Sequence, residues 1–188
     1  MQKMINRLAI IILILISSCS NEQSSPKPFA YLRIDLPEAE YKDLVIDCPY
    51  SFEYSDQANI VMKDRSKCWI NIYYPKNKAT IYLTYVQLDG NLREQLDQTQ
   101  QLTYEHQIKA NRIDRIAMEI DSTNVYGLRY RLEGDVASNV QFYLTDSTQN
   151  FIRGALYFEA YVNADSLRPI VDYIDKDIQH LMETFRWK

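Results

Sequence analysis

The chain has 188 residues, the length of one domain with short additions. Lysine and arginine number 21 against 25 aspartates and glutamates, a formal net charge of −4 that argues against a nucleic-acid binder. With 46% hydrophobic and 24% charged residues it is globular in composition, and its 4 glycines leave little material for phosphate-cradling loops.

The first eighteen residues read as a leader. Lys3 and Arg7 give a positive start, and Leu8 to Ile16 form an apolar run well short of the roughly 20 residues a membrane span needs. Ile16-Ser17-Ser18-Cys19 follows, an aliphatic residue and two small ones before a cysteine. That is the lipobox pattern, which directs a diacylglyceryl group to the Cys19 sulfur and cleavage just before it. Several acyl chains on one cysteine make release from a bilayer negligible, at about 0.8 kcal/mol per buried CH₂. Ser20 is not the aspartate of inner-membrane retention, which favours the outer membrane. The expected organisation is a leader over 1–18, a lipidated cysteine and polar tether over 19–28, and one periplasmic domain over 29–188.

Cys48 and Cys68, twenty residues apart, are the other two cysteines. In an oxidising compartment they form the single possible disulfide, which stabilises by about 3 kcal/mol on the chain-entropy account; the alternative is a pair of buried free thiols. Neither has a second Cys or a His at ligand spacing, so no metal site is expected.

Strands are expected at Phe29–Leu36, Tyr50–Tyr54, Trp69–Tyr74 and Thr80–Leu88, all rich in Tyr, Ile, Phe and Val. In Thr80–Gln87 both alternating faces are partly apolar, which predicts cover on both sides of the sheet's middle. Asn91 to about Ala117 has no proline or glycine and predicts one long helix or two consecutive ones. Its stripe (Leu92, Leu96, Thr99, Thr103, His106, Ala110, Ile113) is weak in large aliphatics, so this helix should lie on the sheet without sinking in. Strands follow at Val125–Glu133, Asn139–Thr145 and Phe151–Phe158, the last two joined as a hairpin through the polar turn Asp146–Asn150. A closing helix opens near Asp165 or Ser166 with Pro169 in its first turn, and buries Leu167, Ile170, Val171, Ile174, Ile178, Leu181, Met182 and Phe185. The order predicts an α+β domain, a mainly antiparallel sheet of about seven strands with two helices packed on it.

Catalytic machinery is hard to find. His106 and His180 are the only histidines, both on helices, and there is no Gly-x-Ser-x-Gly elbow or His-Glu-x-x-His. Thr145-Asp146-Ser147 reads as turn chemistry. A glycosidase carboxylate pair cannot be read from sequence. Tyr73, Tyr74, Tyr82, Tyr85, Tyr126, Tyr130, Tyr143, Tyr157 and Tyr161 either build a sugar- or peptide-binding surface or pack along strands with their hydroxyls at the solvent edge. Arg33 and Arg153 lie among apolar strand residues and need partners: Asp35, Asp146, or the carboxylate of another protein.

The longer segments resemble a known family. Pro26-Lys27-Pro28, Tyr31 to Pro37, Cys48 to Tyr54, Cys68 to Pro75, Ala137-Ser138, Gln141 to Ser147, Phe151 to Phe158, Asp165-Ser166-Leu167 and Glu183 to Lys188 are similar to the gliding-motility lipoproteins of the GldD family of Bacteroidetes-type bacteria. The resemblance implies lipidation at Cys19 and a non-enzymatic accessory or assembly role in gliding motility and type IX secretion, with protein partners in that machinery. It supplies no catalytic residues and no cofactor. By analogy alone, the element order is similar to the PsbP/Mog1 type of α/β/α sandwich, a fold that serves binding. The alternative from a different class is a periplasmic hydrolase or ligand-binding lipoprotein with a cryptic carboxylate/tyrosine site. A deep polar cleft with strongly shifted carboxylates would favour it, and a flat surface with exposed aromatics the contact role.

Overall fold

The computed structural model describes residues 36–105, 109–159 and 164–188. In chain order its elements are β1 (Tyr41–Asp43), β2 (Tyr50–Ser51), β3 (Glu53–Ser55), β4 (Asn59–Asp64), β5 (Trp69–Tyr74), β6 (Ala79–Gln87), α1 (Leu92–Glu105), β7 (Ala110–Ile120), β8 (Val125–Gly134), β9 (Val140–Thr145), β10 (Asn150–Phe158), α2 (Ala164–Glu183) and β11 (Arg186–Trp187). Seven strands make one antiparallel sheet in the order β4-β5-β6-β10-β9-β8-β7. Two small sheets, β1-β3 and β11-β2, flank it. This is the α+β fold the sequence predicts.

Cross-strand partners share a face, so the registers place each side chain. Ile70 opposes Leu83, Ile72 opposes Ile81, Leu83 opposes Gly154, and Gly154 opposes Phe142. Together with Val140, Leu144, Ile152 and Leu156 these residues form one apolar face, closed by Val171, Ile174, Ile178, Leu181 and Met182 of α2 and by Phe185 after it. Every side chain in that closing set is buried, at roughly 1.5–3 kcal/mol for a large one, so α2 supplies much of the core as its stripe requires. Gly154 belongs there because a Cβ would stand 2.2 Å from the Phe142 ring. Tyr50, Phe52 and Phe185 stack at the end of this core, and Cys48 and Cys68 are joined in a disulfide beside them with Cα atoms 5.7 Å apart. The expected pairing is therefore present, in place of two free thiols.

The opposite face carries α1. It buries Thr99 and Thr103 against the sheet, and Thr103 Oγ1 lies 3.3 Å from Gln141 Oε1 of β9. Two threonines in place of leucines keep this contact shallow, as the weak stripe implies. Among the described residues the helix packs on β9 and β10 and leaves the β4-β5-β6 half of this face bare.

Three expectations change. The helical reading of 91–117 holds only to Glu105: Ala110–Ile120 is a strand, paired with β8 from Ala110↔Gly134 to Ile120↔Val125. Ile113 and Ile116 are three apart and imitate a helix, but the ladder to β8 outweighs local propensity. The sheet keeps seven strands because β4, unanticipated, joins it along with β7, while the expected strand Tyr50–Tyr54 divides into β2 and β3 of the two small sheets and Phe29–Leu36 lies outside the described residues except for Leu36, which is in no strand. Finally, α2 begins at Ala164, so Pro169 sits in its second turn. There its ring removes a single intrahelical bond, since the first four N–H groups have no helical partner anyway.

Candidate functional site

The α1 face gathers six of the nine tyrosines named above as candidate surface residues. Tyr73, Tyr82, Tyr126, Tyr130, Tyr143 and Tyr157 all point there by register, whereas Tyr74 and Tyr85 lie on the core face. Tyr161 is outside the described residues. On the bare half, Tyr82 is 45% exposed and Val61 42%, and Tyr82 meets Tyr157 edge to face at 5.6 Å between ring centres.

Arg153 of β10 sits at the margin between α1 and this bare half, with Thr84 and Tyr143 as cross-strand neighbours. Its Nη2 donates to Gln141 Oε1 at 2.8 Å. Gln141 is fully buried. Arg153 Nε and Gln141 Nε2, both donors and both buried, find no acceptor among the described residues. Burial pulls the guanidinium below its ordinary pKa, and Tyr157 opposes this only in part. Arg93, Arg112, Arg129 and Arg131 each have a carboxylate within 4.0 Å; among the described residues Arg153 has none. Of the partners suggested by sequence, Asp35 is outside the described residues and Asp146 is engaged elsewhere. Arg33 and Cys19 are likewise outside them.

The chemistry-bearing groups on the core side are tied into the fold. Asp146 Oδ1 accepts from the backbone N–H of Thr148, Gln149 and Asn150 at 2.8–2.9 Å, closing the hairpin turn as turn chemistry predicts. Partial burial disfavours its charge, yet the bonds from Asn150, Thr148 and Gln149 outweigh that and lower its pKa. His180 Nε2 lies 2.7 Å from Glu53 Oε2, and its ring stacks on Tyr41 at 3.6 Å. His106 is outside the described residues.

Two constellations have no counterpart in the sequence reading. Arg129 Nη1 and Arg131 Nη1 of β8 each donate at 2.7 Å to Asp175 of α2, and Arg131 also bonds Asp172. The sequence did hold a signal, since arginines at i and i+2 of a strand share a face, as do aspartates at i and i+3 of a helix. The second is Asp177, only 3% exposed, whose carboxylate accepts from Tyr41 and Tyr74 at 3.0 Å each. Burial raises the Asp177 pKa against these bonds, and burial with the neighbouring carboxylate raises both tyrosines. An open groove of ≈ 380 Å³ lies beside it, lined by Pro37, Tyr41, Pro169, Asp172, Lys176 and Asp177 among others. Among the described residues no group of His, Cys, Asp or Glu is placed to hold a metal ion, and no helix is long and apolar enough to cross a membrane.

Comparison with protein families decides the affiliation: residues 21–187 match the family "Gliding motility lipoprotein GldD". The chain belongs to that family. It is thereby a lipoprotein with a role in gliding motility, and the family is not a known enzyme family. Comparison with curated proteins finds no match.

Proposed function

We infer that this lipoprotein works by contact: an accessory or assembly component of gliding motility and type IX secretion, held by lipid on Cys19 at the periplasm-facing side of the outer membrane. Beside the family membership, one observation carries the reading. Asp146 and His180 are each committed to a bond that braces the fold, whereas Arg153 Nε and Gln141 Nε2, two of the four buried unpartnered groups among the described residues, lie on the sheet face that exposes Tyr82. Arg33 and Arg153 remain the proposed partner contacts, behind a leader over 1–18 and a tether over 19–28.

The test is genetic. Loss of the gene abolishes spreading and type IX export in the native host. Cys19→Ala abolishes palmitate labelling and membrane retention. His180→Ala and Asp146→Asn, if folded, support both processes. A Cys19→Ala protein that still labels and sediments with membranes refutes the lipid anchor.

The enzyme alternative has one observation in its favour, the raised Asp177 beside an open groove. Both tyrosines, however, donate to that carboxylate and are pushed towards weaker acidity, so the cluster holds its protons. An abundant, folded Asp177→Asn protein dead for export would favour the enzyme.

A further inference from the structure

We propose that Arg153 seats an aspartate or glutamate side chain of a partner protein, with Tyr82 making the apolar contact beside it and Val61, two strands beyond Tyr82, extending that contact. The inference rests on the contact reading above and names the partner's chemistry.

The groups without partners specify what is missing. Arg153 Nε and Gln141 Nε2 are both hydrogen-bond donors, so the site lacks an acceptor rather than a donor. The acceptors beside Arg153, Gln141 Oε1 and the Tyr157 hydroxyl, are both neutral, and the first is already shared with Thr103 Oγ1. A half-buried guanidinium is costly beside neutral groups alone, and a carboxylate is the ligand whose geometry matches its fork. Among the described residues Arg65, Arg115, Arg168 and Arg186 also have no carboxylate within 4.0 Å, but all four are exposed, so Arg153 is the part-buried arginine left without a counter-charge. Its surroundings fit a protein partner. An arginine next to an edge-to-face tyrosine pair, with an exposed valine two strands beyond Tyr82 on the same face, has the composition of an interface centre. Among the described residues α1 packs on β9 and β10, and Tyr82 and Val61 on the β4-β5-β6 half of the face are exposed, so an incoming side chain approaches from that side.

A bracing arginine and a binding arginine predict opposite stabilities. If Arg153 holds the fold together, Arg153→Gln lowers Tm by several degrees. If it waits for an external anion, removing an uncompensated half-buried cation leaves Tm unchanged or raises it, while function is lost. The direct probe is the full-length chain, labelled with ¹⁵N-arginine and held in detergent, titrated with N-acetyl-aspartate methylamide and separately with its asparagine counterpart. The expected result is a saturable shift of the Arg153 Nε–H signal with the aspartate compound at millimolar concentration, and none with the asparagine compound. The exposed Arg93 serves as the reference for non-specific response. In cells, Arg153→Gln at wild-type abundance fails to spread, and Tyr82→Ala spreads poorly. The proposal is overturned by a lowered Tm in Arg153→Gln, by an Arg153 signal that moves no more than that of Arg93, or by normal spreading of the Arg153→Gln strain. Should deletion of the whole gene leave spreading intact, the motility reading fails, while the titration still decides whether the site takes a carboxylate.

Discussion

Replacing Asp175 by alanine tests how the long helix is fixed to the sheet. Asp175 is 8% exposed and binds Arg129 and Arg131 at 2.7 Å through separate carboxylate oxygens. Its removal leaves Arg131 with Asp172, but leaves Arg129, 9% exposed, with no carboxylate and only the Asp175 backbone carbonyl at 3.3 Å. Stranding a buried charge in this way costs about 3–5 kcal/mol. For a chain of this size each kcal/mol moves Tm by about 2–4 °C, so the expected drop is about 6–20 °C. Asp172→Ala, by contrast, removes a carboxylate that is half in solvent and costs at most about 1 kcal/mol. Thermal and urea unfolding of both variants, with equal m-values, make the comparison. The double replacement Arg129→Met with Asp175→Leu should recover most of the loss, because neither charge is then stranded. The reasoning is refuted if Asp175→Ala costs no more than Asp172→Ala, or if the apolar double variant is as unstable as the worse single one.

Three further outcomes follow from the same structure. Replacing Cys48 and Cys68 together by serine releases a 20-residue loop and should cost about 3 kcal/mol, read as a lowered urea midpoint that added reductant no longer changes. Gly154→Ala drives a methyl into the Phe142 ring and the Leu83 side chain, so a loss of about 1–3 kcal/mol is expected; a neutral result would show that Phe142 can move aside. Asp146 has a lowered pKa in the folded state, so its contribution is present above the unfolded value near about 4 and is lost as pH falls through the folded value. Asp146→Asn should therefore be less stable than the parent at neutral pH, with the gap closing below about pH 4, and a gap independent of pH would contradict the assignment.

Strong periodicity made some of this fold readable. The α2 stripe from Val171 to Phe185 predicts its burial residue by residue, because a dense apolar face has one stable orientation. Lys176 lies one turn from Asp172 in sequence, the spacing of a helical ion pair, yet Asp172 turns to Arg131, a choice that only tertiary geometry makes. Strand β7 was misread because Asn-Arg-Ile-Asp-Arg-Ile has no breaker and an i, i+3 pair; what makes it a strand is β8, later in the chain. Strand β4 alternates Ile60 and Met62 inward against Val61 outward, too short a signal to stand out. Of the site, Arg153 was legible as an arginine in an apolar strand needing a partner. That its nearest acceptor is a buried glutamine was not, since Gln141 reaches it only across the sheet. The Asp177 cluster was invisible for the same reason, with Tyr41 and Tyr74 lying 136 and 103 residues away in sequence.

The tail of the chain sets an order of assembly. Strand β11 pairs Trp187 with Tyr50, and the Lys188 N–H bonds the Pro49 carbonyl. A polypeptide that emerges from its N-terminus onward therefore holds β2 unpaired, and the sheet's apolar face uncovered, until α2 and β11 have followed. Both disulfide cysteines come out far earlier, so oxidation can fix the docking edge for β11 before β11 exists. Contacts of such long sequence separation fold slowly, and during that wait an open strand edge is exposed to neighbouring chains. Factors that hold the incomplete fold should matter most when β11 is missing: losing only Arg186 to Lys188 would leave all seven strands of the large sheet intact yet strip β2 of its partner and lengthen the lifetime of the sticky intermediate.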